Sequence, residues 1–247
     1  MDLREFFEQN ENAAIAFSGG VDSSYLLYAA CRYADKVTAY YVKSQFQPSS
    51  ELKDALRIAS YCGADLKVID MDILSFSDVR SNPDDRCYHC KKRIMSVIIG
   101  AAEKDGYNMV ADGTNASDDT DDRPGYRALT ELGVRSPLRE CGITKTEVRR
   151  LAKEAGLDVW NKAAYACLAT RIPSGTEITA ADLERTEKAE EILHSMGFSD
   201  FRVRMRDGKA LIQVKEAQYE KAVKTHAEIA EALAAMYDSI VIDENTR

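Results

Sequence analysis

Residues 13 to about 170 alternate short apolar runs with longer helical patterns, and this alternation limits the possible folds more than any other feature. The runs are rich in β-branched and aromatic residues and predict strands at 13–17, 36–42, 64–70 and 107–112. The patterns between them predict helices at about 21–34, 49–62 and 88–105. This order is typical of an α/β fold with a doubly wound, mainly parallel sheet and helices on both faces.

A sheet of this kind binds its ligands beyond the carboxyl ends of its strands. We therefore expect the chemistry in the loops that follow Phe17, Val42, Asp70 and Asp112. A further helix is predicted to begin at the capping box formed by Thr144 and Glu147.

A second, smaller domain is predicted after a break at 172–178, where proline, glycine and small polar residues cluster. The predicted domains are 1–175 and 176–247. The elements expected in the second are a helix at about 180–196, strands at 201–206 and 210–215, a helix at about 216–236 and a strand at 239–243. Their order indicates a small α+β domain.

The charge of the chain argues against a broad nucleic-acid surface. Its 247 residues include 33 Lys and Arg against 41 Asp and Glu, which gives a net charge of −8. A phosphate backbone favours a basic face, so nucleic acid is disfavoured as a partner, although a local basic cleft is not excluded. The apolar stretches are only strand-length and residues 1–12 are acidic, so we expect no membrane span, no secretory signal and a cytoplasmic location.

The six cysteines are more consistent with reduced thiols, metal ligation or catalysis than with a disulfide framework, because the chain is large and lacks a secretory signal. Cys87 and Cys90 form a C-x-x-C pair. The thiols of Cys31, Cys62 and Cys141 lie in or near apolar patterns or a turn, and we predict that they pack without a chemical role.

The loop after the first predicted strand has the composition of an anion-binding turn. It runs from Ser18 to Ser23 with the sequence SGGVDS and opens an apolar helix. Paired glycines let backbone N–H groups approach a phosphate at the positive end of the helix dipole, and the two serines add hydroxyl donors. Asp22 would repel that phosphate unless it held Mg²⁺ or a donor of the first helical turn.

This loop resembles the signature of the PP-loop ATP pyrophosphatases. The resemblance implies an adenine nucleotide alpha hydrolase-like fold, in which the loop binds the pyrophosphate of ATP, an acceptor oxygen is adenylated and pyrophosphate leaves. Further segments resemble one branch of that superfamily, the LarE family of sulfur transferases. They are 112–115 with 121–125, 134–138, 160–162, 167–176 and 202–204.

The resemblance implies an enzyme that adenylates a carboxylate of pyridinium-3,5-dicarboxylic acid mononucleotide and converts it to a thiocarboxylate, a step in the synthesis of the nickel-pincer nucleotide cofactor. It also implies ATP with Mg²⁺, a small nucleotide substrate and a homo-oligomer, either a trimer or a hexamer. Asp22, Lys91 and Cys167 are then the expected catalytic residues. The residues expected to bind the nucleotides are Ser18, Gly19, Gly20, Asp22, Ser23, Ser44, Arg123, Arg202 and Arg204.

The source of the sulfur has two possible forms in this family. One subfamily sacrifices a cysteine of its own, and another binds a [4Fe-4S] cluster through three cysteines. Cys87, Cys90 and Cys167 would form such a set, whereas zinc would also require His89 to turn inward. Cys167 precedes Arg171 by one residue fewer than in the sacrificial pattern, so we expect the cluster. The sacrificial use of Cys167 stays open, and the terminal sulfide donor is not identified.

The roles of four charged side chains stay open. Arg202 and Arg204 alternate along a predicted strand and share one face, which suits either a substrate phosphate or solvent. Arg171 is a further anion-binding candidate, and Glu190 matches an acidic position that the family places at a subunit interface. Two other functions also stay open, a tRNA thiolase of the same superfamily and a nucleotide sensor without catalysis.

Overall fold

The computed structural model describes residues 1–119, 124–163, 165–206 and 208–246. The chain forms two compact units. The first consists of Met1–Ser44, Ser49–Ile73 and Asp85–Ala164. The second consists of Gln45–Pro48, Leu74–Asp84 and Tyr165–Arg247. The division therefore falls near residue 165 rather than 175, and two short segments from the first half of the chain belong to the second unit.

The helices and strands follow the predicted alternation. The α-helices are α1 Leu3–Glu8, α2 Val21–Tyr33, α3 Ser49–Cys62, α4 Ser77–Arg80, α5 Arg86–Lys104, α6 Pro124–Glu131, α7 Pro137–Glu140, α8 Lys145–Glu154, α9 Ala180–Ser195, α10 Glu216–Lys224 and α11 His226–Leu233. The strands are β1 Asn12–Ala16, β2 Lys36–Lys43, β3 Asp65–Asp70, β4 Val110–Ala111, β5 Arg202–Arg206, β6 Lys209–Gln213 and β7 Ser239–Ile242. Short 3₁₀ helices lie at Ile73–Ser75, Asp158–Asn161 and Leu168–Arg171.

The first unit contains a parallel sheet with the strand order β3-β2-β1-β4. Successive residues of β1 face opposite sides: Ile15 belongs to the apolar core shared with α2 and α8, and Ala14 to the core shared with α5. The same alternation holds for Tyr41 and Tyr40 in β2. The sheet is therefore doubly wound, as the sequence predicts. All four carboxyl ends lie at one edge, and the loop after β1 lies at the point where strand order reverses.

The second unit contains a small mixed sheet, in which β6 pairs antiparallel with β5 and parallel with β7. Its core includes Leu193 from α9, Val203 from β5 and Ile229 from α11, and all three are completely buried. Burial of each such side chain contributes about 1.5–3 kcal/mol. No helix within the described ranges has both the length and the apolar character that a membrane crossing needs.

Candidate active site

The turn between β1 and α2 presents the backbone of its glycines. Gly19 has a φ of +73°, a conformation that side-chain-bearing residues adopt at a cost, and Gly20 is the N-cap of α2. Because Gly20 has no side chain, it cannot cap the N–H groups of the first helical turn. The hydroxyls of Ser18 and Ser23 lie 3.1 Å apart, and that of Ser23 donates to the carbonyl of Gly20 at 3.2 Å. The turn therefore has the form of a phosphate-binding loop.

The loop after β4 packs directly against this turn. A Cβ atom on Gly113 would lie 2.8 Å from the backbone nitrogen of Ser23 and 3.0 Å from its Cα. No side chain fits in that space, so glycine at 113 lets the two loops touch. The segments predicted separately as a phosphate loop and as the Asp112–Asn115 motif form one continuous surface.

Asp22 has partners that remove its conflict with a bound phosphate. Its carboxylate forms an ion pair with the ammonium of Lys145 and accepts a hydrogen bond of 3.3 Å from the side chain of Asn115. Lys145 was not among the predicted site residues. It is the first residue of α8, where a positive charge is unfavourable unless it faces an anion, and that signal could have revealed it.

Asp112 organises the end of β4 and contacts Lys91. The Asp112 carboxylate is buried and accepts hydrogen bonds of 2.8 Å from the hydroxyls of Thr114 and Ser136. The Lys91 ammonium lies 3.5 Å from the same carboxylate. The structure thus brings Lys91 to the carboxyl edge of the sheet, where Gly113 meets the phosphate loop.

The C-x-x-C pair lies in the first turns of α5. Cys87, Cys90 and Lys91 are spaced i, i+3 and i+4, so they share one face of the helix. Cys87 is exposed and Cys90 is partly buried. The imidazole of His89 lies 3.2 Å from the carboxylate of Asp85 on the preceding turn. His89 thus has a carboxylate partner. This geometry does not favour the zinc site, in which the His89 imidazole would have to turn inward.

The other cysteines behave as packing residues. Burial raises the pKa of the Cys31 thiol to about 11. The pKa of the Cys62 thiol rises to about 12, mainly because it is buried and to a smaller extent because Cys31 is close. Burial also raises the pKa of Cys141. These thiols therefore stay protonated and unreactive near neutral pH. All six cysteines lie in the described ranges, and none forms a disulfide.

A partly buried carboxyl lies on α3 near the phosphate loop. Burial raises the pKa of Glu51 to about 7; Lys162 opposes that rise and Asp54 adds to it. Lys162 also bonds Asp54 at 2.7 Å. The same helix backs the loop, since a Cβ on Gly19 would lie 3.3 Å from the backbone nitrogen of Ala55. Sequence reasoning did not single out Glu51, because nothing in its local pattern separates it from a solvated helix residue.

The remaining predicted residues are distributed between the two units. Ser44 follows β2 at the carboxyl edge of the first sheet, whereas Cys167, Arg202 and Arg204 belong to the second unit. Arg204 donates to the carbonyl of Thr170 at 3.1 Å. Arg123 lies outside the described residues.

Arg171 has an internal partner instead of an open anion site. It is buried, and its guanidinium pairs with the carboxylate of Glu190 at 2.8 Å. Both residues belong to the second unit.

Among the residues that the structure describes, neither unit contains a preformed metal or cluster site. The described part of the chain contains no group of three or more His, Cys, Asp or Glu side chains arranged to hold a metal ion. Mg²⁺ bound with a nucleotide needs only one or two carboxylates besides the phosphates, and Asp22 beside the loop fits that requirement. Cys87 and Cys90 fit two positions of a cluster.

Comparisons with known proteins agree with this geometry. The family described as Queuosine biosynthesis protein QueC matches residues 12–81, which contain β1, the phosphate loop and β2. The chain is 36% identical over 210 residues to pyridinium-3,5-bisthiocarboxylic acid mononucleotide synthase of Lactiplantibacillus plantarum, covering 84% of this chain and 76% of that protein. It is 37% identical over 227 residues to the uncharacterized protein slr1717 of Synechocystis, covering 90% and 84% of the two chains.

A more distant relative is the tRNA-specific 2-thiouridylase MnmA of a Thermotoga species, which is 25% identical over an alignment of 286 positions that includes 94% of this chain and 79% of that protein. The match to the mononucleotide synthase is both higher in identity and consistent with the phosphate loop and the motifs around it. The chain therefore belongs to the LarE family of ATP-dependent sulfur-transferring enzymes, within the PP-loop superfamily.

Proposed function

We propose that this enzyme adenylates a carboxylate of pyridinium-3,5-dicarboxylic acid mononucleotide and replaces one of its oxygens with sulfur, in nickel-pincer nucleotide synthesis. One observation carries the proposal most directly. Cys87, Cys90 and Lys91 share a face of α5, and the Lys91 ammonium lies 3.5 Å from Asp112, next to the glycine that packs on the phosphate loop. The sulfur-bearing face and the nucleotide-binding edge are thereby linked within one unit.

The first step uses the carboxyl edge of the sheet. The loop from Ser18 to Ser23 and the start of α2 hold the β- and γ-phosphates of ATP. A carboxylate oxygen of the substrate attacks the α-phosphorus, the bond from that phosphorus to the bridging oxygen breaks, and pyrophosphate leaves. Lys91 and Lys145 offset the negative charge that builds on the phosphates, and Asp22 would hold Mg²⁺, which would add positive charge beside them.

The second step replaces an oxygen with sulfur. A sulfur nucleophile attacks the carbonyl carbon of the acyl adenylate, the carbon–oxygen bond to AMP breaks, and a thiocarboxylate forms. We propose that Cys87, Cys90 and Cys167 hold a [4Fe-4S] cluster, which when bound supplies an iron without a protein ligand that can carry sulfide. Exposure of Cys87 and the i, i+3 spacing of the pair support this assignment. We further propose a homo-oligomer, a trimer or hexamer, that works in the cytoplasm, where such thiols stay reduced.

Iron and sulfide analysis after anaerobic reconstitution tests the cluster. We expect the wild-type chain to bind iron and sulfide in equal amounts and the Cys87→Ser variant to lose most of both. Cys141→Ser is the matched control, since Cys141 is partly buried and is predicted to pack without a chemical role, so its iron content should equal the wild type. Equal iron in wild type and Cys87→Ser, or none in the wild type, would reject the cluster.

The sacrificial alternative has its own signature. If Cys167 itself donates the sulfur, its peptide loses one sulfur and two hydrogens in a single turnover and becomes dehydroalanine. Peptide mass spectrometry after one turnover separates the two modes. A pyrophosphate-release assay with the dicarboxylate nucleotide tests the first step in either mode, and absence of nucleotide-dependent release would overturn the substrate assignment.

A further inference from the structure

The backbone around Cys167 is tethered on both sides. Cys167 precedes the 3₁₀ helix Leu168–Arg171, and its carbonyl accepts hydrogen bonds from the backbone N–H of Thr170 at 3.0 Å and from the Thr170 hydroxyl at 2.8 Å. The N–H of Leu168 donates to the carbonyl of Phe46 at 2.9 Å. On the other side, the Arg171 guanidinium donates to the carbonyl of Ala166 at 3.0 Å.

Arg171 is itself fixed by Glu190. Its Nε donates to Oε1 of Glu190 at 2.8 Å, and a terminal nitrogen donates to Oε2 at 3.2 Å. The Glu190 carboxylate also accepts from the Tyr165 hydroxyl and, at 3.0 Å, from the backbone N–H of Val203 in β5. The side chains of Arg171 and Glu190 are only 1% and 9% exposed. The carboxylate thus connects α9 and β5 to the residues on both sides of Cys167.

A buried ion pair is an expensive way to stabilise a fold, because both charges lose their hydration. Apolar side chains of similar size would fill the same space with no such loss. The pair instead fixes geometry. A guanidinium whose three nitrogens all donate hydrogen bonds restricts how the surrounding chain can be arranged. Here the guanidinium joins Glu190 to Ala166 and Thr170, which lie on either side of Cys167.

We propose that Arg171 and Glu190 are positioning residues, which fix the loop that carries Cys167 so that its sulfur keeps the orientation needed for sulfur transfer. The inference rests on the proposed role of Cys167 as a sulfur-bearing or cluster-binding residue. Arg171 and Glu190 act through the loop and have no contact with substrate in this assignment.

Amide hydrogen exchange of the ligand-free protein tests the positioning directly. We expect Arg171→Met and Glu190→Gln to speed exchange in a peptide spanning 167–172 by about tenfold or more, because its protected N–H groups lose their anchors. Exchange in β6 should be unchanged, which separates local release from loss of the fold. The matched control is Arg80→Met, which removes an exposed ion pair with Glu177 in the same unit and should leave the 167–172 peptide unchanged. If Arg171→Met fails to fold, Glu190→Gln, which keeps the size of the side chain, carries the test.

The catalytic readout divides the two steps. With ATP and the dicarboxylate nucleotide, both variants should keep the pyrophosphate burst within about twofold of wild type and form thiocarboxylate about tenfold more slowly. Unchanged exchange in both variants, or a burst that falls together with the thiocarboxylate, would overturn the proposal. If the wild type itself forms no thiocarboxylate, the proposed function fails, whereas the exchange measurement still decides whether the pair fixes the loop.

Discussion

Because Gly113 has no side chain, the Asp112 loop can pack directly against the phosphate loop. Its Cβ position would lie 2.8 Å from a backbone atom of α2, which cannot move aside like the end of a side chain. We expect Gly113→Ala to push the Asp112 loop away from the phosphate loop. ATP affinity should fall about tenfold or more, and the unfolding midpoint should drop, as measured by nucleotide titration and thermal unfolding.

Gly100 provides the opposite control for that substitution. It lies inside α5. Apart from its two chain neighbours and the nearby backbone of the helix itself, no atom lies within 4 Å of the position that a Cβ would occupy. Gly100→Ala should therefore raise stability by about 0.5–1 kcal/mol through helix propensity and leave ATP affinity unchanged. An equal loss of affinity in both variants would contradict the close-approach argument.

We expect the ammonium of Lys145 to interact with the phosphates of ATP when the nucleotide is bound. Removing its ammonium leaves the Asp22 carboxylate beside the phosphates without its cation, so Lys145→Met should weaken ATP binding or slow pyrophosphate release by about ten- to a hundredfold. Arg150→Met on the same helix removes an exposed ion pair with Glu154 and should change neither quantity. Equal kinetics of Lys145→Met and wild type would remove Lys145 from the site.

Sequence reasoning named residues that stand in recognisable motifs and did not name those whose surroundings depend on tertiary neighbours. Lys91 was expected from the resemblance to the family, and the structure places its ammonium 3.5 Å from the carboxylate of Asp112. Lys145 is a cation at the start of a helix, but the capping box around it offered a sufficient local explanation. The raised pKa of Glu51 depends on its burial, which the spacing of residues in α3 does not predict.

At the level of elements, the start of α8 links stability to nucleotide binding. Thr144 caps the helix by accepting from the N–H of Glu147, and Lys145 is the next residue. Thr144→Ala should cost about 1 kcal/mol of stability and also weaken ATP binding, because it frees the turn that carries Lys145. Denaturant unfolding and nucleotide titration measure the two effects.

Thr179 is the matched control for the cap. It caps α9 in the second unit by accepting from the N–H of Asp182. Thr179→Ala should lose about the same stability as Thr144→Ala and keep wild-type ATP affinity. Reduced affinity in both variants would show that the effect at Thr144 is general destabilisation.

Elements with strong local signals were predicted closely, and those shaped by their neighbours were not. The predicted bounds of α3 agree with the structure, because its apolar face and flanking turns are both visible in the sequence. The single helix expected at 216–236 is instead α10 and α11, which meet at Thr225, where the hydroxyl bonds back to the carbonyl of Lys221 at 2.9 Å. The strand expected at 107–112 is reduced to Val110–Ala111, the two residues that pair with β1. The backbone N–H of Asp112 then donates to the carbonyl of Arg135 at 2.9 Å.

For the molecule as a whole, the net charge of −8 favours a small substrate over RNA. We expect no saturable tRNA binding below about 100 µM at physiological salt, and no stimulation of pyrophosphate release by tRNA. Filter binding and the release assay measure the two. Stimulation by tRNA together with inactivity toward the dicarboxylate nucleotide would favour the activity named for the Thermotoga relative.

Local sequence patterns do not show which segments of the chain make up the second unit. The change of pattern near 172–178 predicts a second domain, whereas nothing local assigns Gln45–Pro48 or Leu74–Asp84 to the second unit. Asn82 illustrates the reason. Its side chain donates to the carbonyl of Pro173 at 2.7 Å, across a sequence separation that periodicity cannot bridge.

That interleaving of three stretches of chain constrains how the protein can be made. On the ribosome, residues 45–48 and 74–84 emerge long before their partners at 165 and beyond have been translated. They therefore lack their native contacts while the first unit folds. For the same reason, a fragment cut at residue 176 would separate Cys167 and Arg171 from Glu190 on α9, and neither piece would contain the complete second unit.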